Sequence, residues 1–145
     1  TGLAPPRLIL EVTESTVLAD RGARALMDRI GELGVRFALD DFGTGFASLH
    51  YLLKYPFDRI KIDRSFVDNL SGRSDSQAIV EAIIAMAMRL RKDVVVEGIE
   101  RAEECAMIAD WGDVKGQGYL FSPGLPEAQF LAYIAAANPI AAAAG

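Results

Sequence analysis

Short apolar runs that turn polar only at their last residues recur along this 145-residue chain, and stretches of helical period separate them. The runs are Leu8-Ile-Leu-Glu-Val-Thr-Glu14, Arg36-Phe-Ala-Leu-Asp-Asp-Phe-Gly43, Arg59-Ile-Lys-Ile-Asp63, Val94-Val-Val-Glu-Gly98 and Gly116-Gln-Gly-Tyr-Leu-Phe121. Parallel strands buried on both faces read as continuous apolar segments, and α/β barrels and open parallel sheets present their functional groups at the C-terminal strand tips. Five strands are therefore expected, with their polar ends gathered at one active-site face.

Between the runs the apolar spacing changes to 3.6. Asp20 is placed to cap a first helix with Leu26, Ile30 and Leu33 on one stripe, ended by Gly34. The clearest helix covers residues 75–90, with Ile79, Ile83, Met86 and Leu90 in line and Ser74 and Gln77 spaced as a capping box. Further helices are expected over 102–110 and from Pro126 to about residue 137, and Gly43-Thr-Gly-Phe-Ala-Ser-Leu49 opens a shorter one. Ser71-Gly-Arg-Ser74 reads as a surface loop. Residues 1–135 form one domain in this reading, and 136–145 an Ala-rich tail.

Five consecutive βα units favour parallel strands joined by right-handed crossovers. The expected class is α/β of the (β/α)₈ TIM-barrel type. A complete barrel takes about 250 residues, so 145 residues amount to a partial barrel of about five units. The rival is a complete doubly wound sheet, for which this length is ordinary, although no Gly-rich dinucleotide turn follows the first strand.

Composition narrows the partners. A formal charge of -5 argues against general attraction to DNA or anionic membrane, and no apolar stretch is long enough to insert in a bilayer. The single Cys105, in a helical pattern, forbids an internal disulfide and fits a small buried hydrophobe in a reducing compartment. Cytoplasm is the expected location, whether or not a parent protein is membrane-tethered. The start Thr1-Gly-Leu-Ala-Pro-Pro6 lacks an initiating Met and any signal-peptide pattern, so a segment of something longer is expected.

The strand ends hold the candidate chemistry. Glu11 shares a face with Ile9 and Thr13 by the two-residue period. Adjacent Asp40 and Asp41 reach one site only if the backbone bends there, and Gly43 and Gly45 allow a bend. Two such carboxylates repel unless a divalent cation lies between them, and with one His and one Cys in the chain oxygen ligation favours magnesium or manganese over zinc. The alternative is that the Asp pair caps the next helix. Lys61, between Ile60 and Ile62, points into a site, where it could neutralise a phosphate, form a Schiff base, or make a structural ion pair with Asp63 or another carboxylate. Glu97 could position or deprotonate water, or be a solvated loop residue. Gln117 carries no charge and suits ligand orientation.

These residues carry a resemblance. Glu11-Val-Thr-Glu14, Asp40-Asp-Phe-Gly-Thr-Gly45, Lys61-Ile-Asp63, Glu97-Gly-Ile-Glu100 and Gln117-Gly-Tyr-Leu-Phe121 resemble, in order and spacing, the successive motifs of the EAL-domain family, bacterial cyclic di-GMP phosphodiesterases on a modified TIM barrel. The likeness covers residues 1 to about 135 and corresponds to the last five barrel strands. It implies Glu11, Asp40 and Asp41 as metal ligands, Lys61 and Glu97 as catalytic groups, Gln117 and Asp63 as substrate contacts, and Glu14 and Glu100 as loop-stabilising residues. The implied reaction is two-metal hydrolysis of cyclic di-GMP to linear pGpG with Mg²⁺ or Mn²⁺.

Departures from the family set further expectations. The name-giving Glu-Ala-Leu segment and the strand with a metal-binding Asn are absent, so the isolated chain is expected to be deficient in hydrolysis. Arg101 stands where a helix-capping Thr is usual, which weakens a helix start, and Gly116 and Gly124 replace an apolar residue and a Pro. A non-catalytic cyclic di-GMP receptor or protein-interaction module is the alternative of a different class. Unpaired edges on the first and last strands are expected to drive homodimerisation or looser association.

Overall fold

The computed structural model describes residues 2–19, 22–43 and 49–137. Five strands, β1 (Ile9–Thr13), β2 (Arg36–Phe42), β3 (Arg59–Ile62), β4 (Asp93–Val96) and β5 (Lys115–Gly116), form one sheet. Every neighbouring pair is parallel, and the spatial order is the sequence order. A doubly wound sheet reverses direction at a switch point, whereas successive strands added on one side build a barrel. The sheet is therefore a five-strand arc of barrel type, and the doubly wound alternative is set aside.

Alternation along the strands divides the two faces. Phe37, Leu39, Ile60, Ile62, Val94 and Val96 point to the side where the helices pack, and with Val17, Leu52, Val67, Val80, Ile84 and Ile108 they make the core. The helices are α1 (Glu14–Ala19), α2 (Ala23–Gly31), α3 (Leu49–Lys54), α4 (Arg64–Val67), α5 (Ser74–Arg89), α6 (Ala102–Asp110) and α7 (Glu127–Ala137). Single 3₁₀ turns occur at Pro5–Arg7 and Leu70–Gly72, the second overlapping the expected surface loop and starting at the buried Leu70. The other sheet face carries Glu11, Asp40, Lys61 and Glu97 by the same two-residue period, counted from the paired positions Thr13 with Asp40 and Lys61 with Val95.

Two helical stripes differ from the expectation. In α2 the buried residue is Met27, with Ala23 and Ile30 partly covered, while Leu26, and Leu33 beyond the helix end, are exposed. In α5 the buried line is Ser76, Val80, Ile84 and Ala87, leaving Ile79 and Leu90 exposed and Ile83 and Met86 at its margin. In α5 the apolar residues Ile79, Val80, Ile83 and Ile84 cover more than one side, so a stripe displaced by one residue fits the period equally well, and in α2 adjacent Leu26 and Met27 share the apolar face with Met27 turned inward. The expected capping box is also absent. Arg73 holds the N-cap position, and Gln77 Nε2 donates to the Leu70 carbonyl at 2.8 Å.

Helix α6 has the expected bounds but a different cap. Glu104, buried on its first turn, accepts the backbone N–H of Arg101 at 3.1 Å and of Glu100 at 3.2 Å. The Arg101 guanidinium has no acceptor to return, so the carboxylate alone closes this helix start, and the Arg does not leave it uncapped. Helix α1 and the short α4 were not expected from the period, because each is too brief to show one.

The fifth strand is shorter than its apolar run. Gly118 lies against the Ile99 backbone so closely that a Cβ there would sit 2.1 Å from the Ile99 carbonyl oxygen. The chain turns over at that contact, and Leu120 N–H donates to Ile99 O at 3.0 Å. The α7 helix that follows is exposed from Glu127 to Ala136, including Phe130, Leu131 and Tyr133. The proposed Asp20 cap, residues 44–48 of the glycine-rich loop and the tail beyond 137 lie outside the described residues. No described helix is long and apolar enough to cross a membrane. Cys105 is partly covered and packs against the core.

Candidate active site

A bulge in β2 builds the site. Leu39 pairs with Ile60 and Phe42 with Ile62, so three steps along β2 match two along β3. The extra residue falls at the Asp40–Asp41 pair, where Asp41 adopts φ +54°. An unbroken strand would send the two carboxylates to opposite faces; the bulge with a left-handed residue turns both toward one side. Asp tolerates that backbone better than most residues, which suits it to this position. Gly43 follows at φ +101°, and any Cβ there would stand 2.6 Å from the Phe66 ring of α4. The bend expected from glycine thus exists at Gly43.

Lys61 occupies the centre of the row. Its side chain is 6% exposed, and Nζ lies 2.7 Å from Glu11 Oε2, 2.8 Å from Asp40 Oδ1 and 2.9 Å from Glu97 Oε1. The Glu11 contact is also an aligned hydrogen bond. Asp40 Oδ1 is buried and has no aligned hydrogen-bond partner, so its approach to Nζ is an electrostatic contact only. Burial pulls the lysine pKa down, but Asp40, Glu11 and Glu97 together outweigh it and hold the ammonium above its ordinary value. A Schiff-base lysine needs the opposite shift, which three carboxylates around the ammonium disfavour, and the ion pair forms with these three rather than with Asp63.

The donor set fits a divalent cation. Asp40, Asp41 and Glu97 each offer a carboxylate oxygen, and these lie within 4.8 Å of one another. Formally, Glu11, Asp40, Asp41 and Glu97 bring four negative charges against one lysine, and one buried oxygen has no hydrogen bond. An all-oxygen, charge-rich set of this kind suits magnesium, manganese or calcium rather than zinc. Glu11 is not in the mutual group; it reaches the others through Lys61 and is 52% exposed.

The remaining expected residues lie around this cluster. A cavity of about 240 Å³ opens beside Glu97 and is lined by Asp63, Arg64, Gly98, Glu100, Gln117, Gly118 and Tyr119. Asp63 caps α4, its Oδ1 accepting the Ser65 N–H at 2.9 Å. Gln117 has an exposed side chain and a backbone bonded on both sides, to Val96 O at 2.9 Å and from Ile99 N at 3.1 Å. Glu100 is exposed on the cavity wall. Glu14 opens α1 and is buried, with Oε1 unpaired, and burial raises its pKa. The loop after the Asp40–Asp41 pair that Glu14 was expected to brace includes residues outside the described set.

Arg64, Gly98 and Tyr119 escaped the sequence reading. Gly98 has φ +73°, and a Cβ on it would come within 2.3 Å of Arg64 Cβ, so glycine lets the loop after β4 close against α4. The available signal was adjacency: Arg64 follows Asp63 directly, and Tyr119 lies two residues after Gln117.

Comparison with known proteins places the fold in a family. The EAL domain profile matches residues 1–124. The bifunctional diguanylate cyclase/cyclic di-GMP phosphodiesterase MucR of Pseudomonas aeruginosa is 40% identical over 134 residues, covering 92% of this chain and 20% of MucR. The EAL domain of Mycobacterium smegmatis DcpA superposes with a TM-score of 0.86 at 34% identity, over 93% of this chain and 61% of that one. A manganese and cyclic di-GMP complex of Klebsiella pneumoniae BlrP1 gives a TM-score of 0.78 at 33% identity, over 84% and 31%. The chain spans about a fifth or less of the length of curated relatives such as MucR, and 17% of two others.

Proposed function

The chain belongs to the EAL domain family, and on that premise we propose that it supplies the greater part of a site that hydrolyses cyclic di-GMP to linear pGpG. The observation that carries the proposal is the buried Lys61 ammonium held among Glu11, Asp40 and Glu97 beside a bulged Asp40–Asp41 pair. Asp40, Asp41 and Glu97 would hold divalent metal, magnesium or manganese, with Glu11 as a further ligand. Bound metal supplies a lowered water pKa and charge stabilisation on the leaving oxygen.

The residues of the chain do the rest. Glu97, at the cavity edge, orients the attacking water and accepts its proton. As the water oxygen bonds to phosphorus, the bond from phosphorus to the departing ribose oxygen breaks, and negative charge grows on the phosphoryl oxygens. Lys61, fixed in its protonated form, faces that charge. Gln117 and Asp63 orient the dinucleotide from the cavity wall, and Glu14 and Glu100 steady the adjoining loops. Association through the outer edges of β1 and β5, unpaired among the described residues, and a cytoplasmic location belong to the same proposal.

Hydrolysis is the test. Cyclic di-GMP and manganese are incubated with the chain alone and with the chain inside a full-length EAL domain, and pGpG is followed by chromatography. Activity in the complete domain that is lost in Asp40→Asn and Asp41→Asn variants is expected, with a much slower isolated chain. Tight, metal-independent binding without turnover in the complete domain would favour the receptor reading instead.

A further inference from the structure

The strand ladder that carries the site ends at Ile62, which pairs with Phe42 of β2 on one side and with Val96 of β4 on the other. Glu97 N–H still donates to the Ile62 carbonyl at 3.0 Å, and after that bond β3 gives way to α4. The short helix thus stands between the points where β2 and β4 leave the sheet. Both strands run on into a glycine of positive φ, Gly43 at +101° two residues after Asp41 and Gly98 at +73° directly after Glu97. Each glycine meets α4. A Cβ on Gly43 would stand 2.6 Å from Phe66 Cε2, and one on Gly98 would stand 2.3 Å from Arg64 Cβ. Of the other described glycines with positive φ, Gly34 lies against Pro6 and Gly112 against Met88, and neither follows a site carboxylate.

The helix itself is firmly seated. Val67 is fully buried, the Phe66 ring packs against the core, and Asp63 Oδ1 caps the first turn through the Ser65 N–H at 2.9 Å. Close-packed groups pass a displacement on rather than absorb it. A shift of Phe66 or of the Arg64 stem therefore moves the turn it meets, and with it the carboxylate just before that turn. The carboxylate oxygens within 4.8 Å of one another come from β2 and β4, which do not pair with each other and are joined only through β3. Their mutual distance needs a common reference, and α4 touches both turns.

We propose that α4 is a two-sided brace for the metal-binding carboxylates: the Phe66 ring positions Asp40 and Asp41 through Gly43, and the Arg64 Cβ positions Glu97 through Gly98. It rests on the reading that Asp40, Asp41 and Glu97 hold divalent metal, and it makes Phe66 and Arg64 positioning residues for that group. The Arg64 contact is made at Cβ. Its guanidinium is not part of the brace.

Calorimetric titration of manganese into the wild-type chain and five variants tests it, with circular dichroism to establish that each is folded at the titration temperature. Groups that orient metal ligands from behind are each worth about 10–100-fold in affinity, so Phe66→Ala is expected to bind manganese about tenfold more weakly, with the milder Phe66→Leu in between. Should Phe66→Ala fail to fold, Phe66→Leu makes the same comparison. Arg64→Ala and Arg64→Gly delete the same charge, but only alanine keeps the Cβ, so the glycine variant should bind about tenfold more weakly than the alanine one. Met27→Ala is the control for stability alone, because Met27 is buried beside Phe37 at the opposite end of the strands. It should unfold more readily and keep its manganese affinity, as distant sites act independently. Equal affinity of wild type, Phe66→Ala and Phe66→Leu, or of the two Arg64 variants, overturns the brace and leaves the metal site standing. An equal loss in Met27→Ala overturns the brace too, and a wild-type chain that binds no manganese overturns both.

Discussion

Lys61→Met separates the electrostatic account of the site from a purely steric one. The substitution keeps an unbranched side chain and deletes the charge that stands 2.7–2.9 Å from three carboxylates. Breaking a buried ion pair by removing one partner destabilises by about 3–5 kcal/mol, because the other charge is left without compensation. Here the partners retain contact with water: Glu11 is 52% exposed, Asp40 21% and Glu97 18%. The Glu11 contact is therefore screened and contributes little, while Asp40 and Glu97 bear most of the loss. Methionine also avoids the dehydration of an ammonium at a 6% exposed position. The balance is a loss of about 2 kcal/mol in metal-free buffer, which for a domain of this size lowers Tm by about 4–8 °C.

With manganese the sign reverses. In the wild type a dication competes with the ammonium for Asp40 and Glu97, both of which also belong to the group of close carboxylates. A unit charge about 4 Å away contributes about 4 kcal/mol at an effective dielectric of 20, and exposure reduces it. Lys61→Met is therefore expected to bind manganese at least about tenfold more tightly, equivalent to 1.4 kcal/mol. Manganese should then restore its unfolding midpoint by more than it raises that of the wild type. Urea unfolding followed by circular dichroism, in chelator and in manganese, measures both quantities, with calorimetry for the affinity. Equal midpoints in chelator, or weaker manganese binding by the variant, would refute the reasoning.

Three other perturbations follow from single contacts. Gly98→Ala combines a left-handed backbone at φ +73° with a Cβ 2.3 Å from that of Arg64, so a loss above about 2 kcal/mol is expected in chemical denaturation, and an unchanged midpoint would contradict it. Glu104→Ala frees the Arg101 and Glu100 N–H groups and should destabilise by about 1–2 kcal/mol, most of it recovered in Glu104→Gln, which still accepts. Burial lifts the Glu14 pKa above 4.5, so on raising the pH the unfolded chain releases this proton first; stability from this group is full below about pH 4.5 and falls as pH climbs to the folded pKa. Glu14→Gln should thus raise Tm at pH 7 relative to wild type and match it at pH 4, and equal shifts at both values would count against it.

The strands and the larger helices were legible because each has a long enough apolar signal. Residues 102–110 carry a period and a Glu three residues in, and the helix has those bounds. The row of polar tips was legible as well, since Lys61 between two isoleucines and Glu97 after three valines must leave the apolar face. Helical phase was not. In α5, Ile79, Val80, Ile83 and Ile84 are all apolar, and a one-residue error rotates the inferred face by 100° without disturbing the period. Nor was the end of β5, because Gly118 turns the chain through a contact with Ile99, in the loop that follows the neighbouring strand β4.

The bulge marks the limit of what alternation can tell. Adjacent aspartates on a regular strand face opposite ways, so Asp40-Asp41 reads from the pattern alone as one buried and one solvated acid, or as a helix cap. What joins them is a mismatch between strands: β2 spends one residue more than β3 over the same rise, and that residue takes a left-handed backbone. Such a distortion costs energy locally, and a left-handed Asp is tolerated where the surroundings hold it. Here the β3 pairing on either side and the Phe66 ring against Gly43 hold the bulge in place. The carboxylate pair is thus a property of two strands and a neighbouring helix together. The carboxylate oxygens of Asp40, Asp41 and Glu97 come within 4.8 Å of one another only because the bulge brings both aspartates to one side.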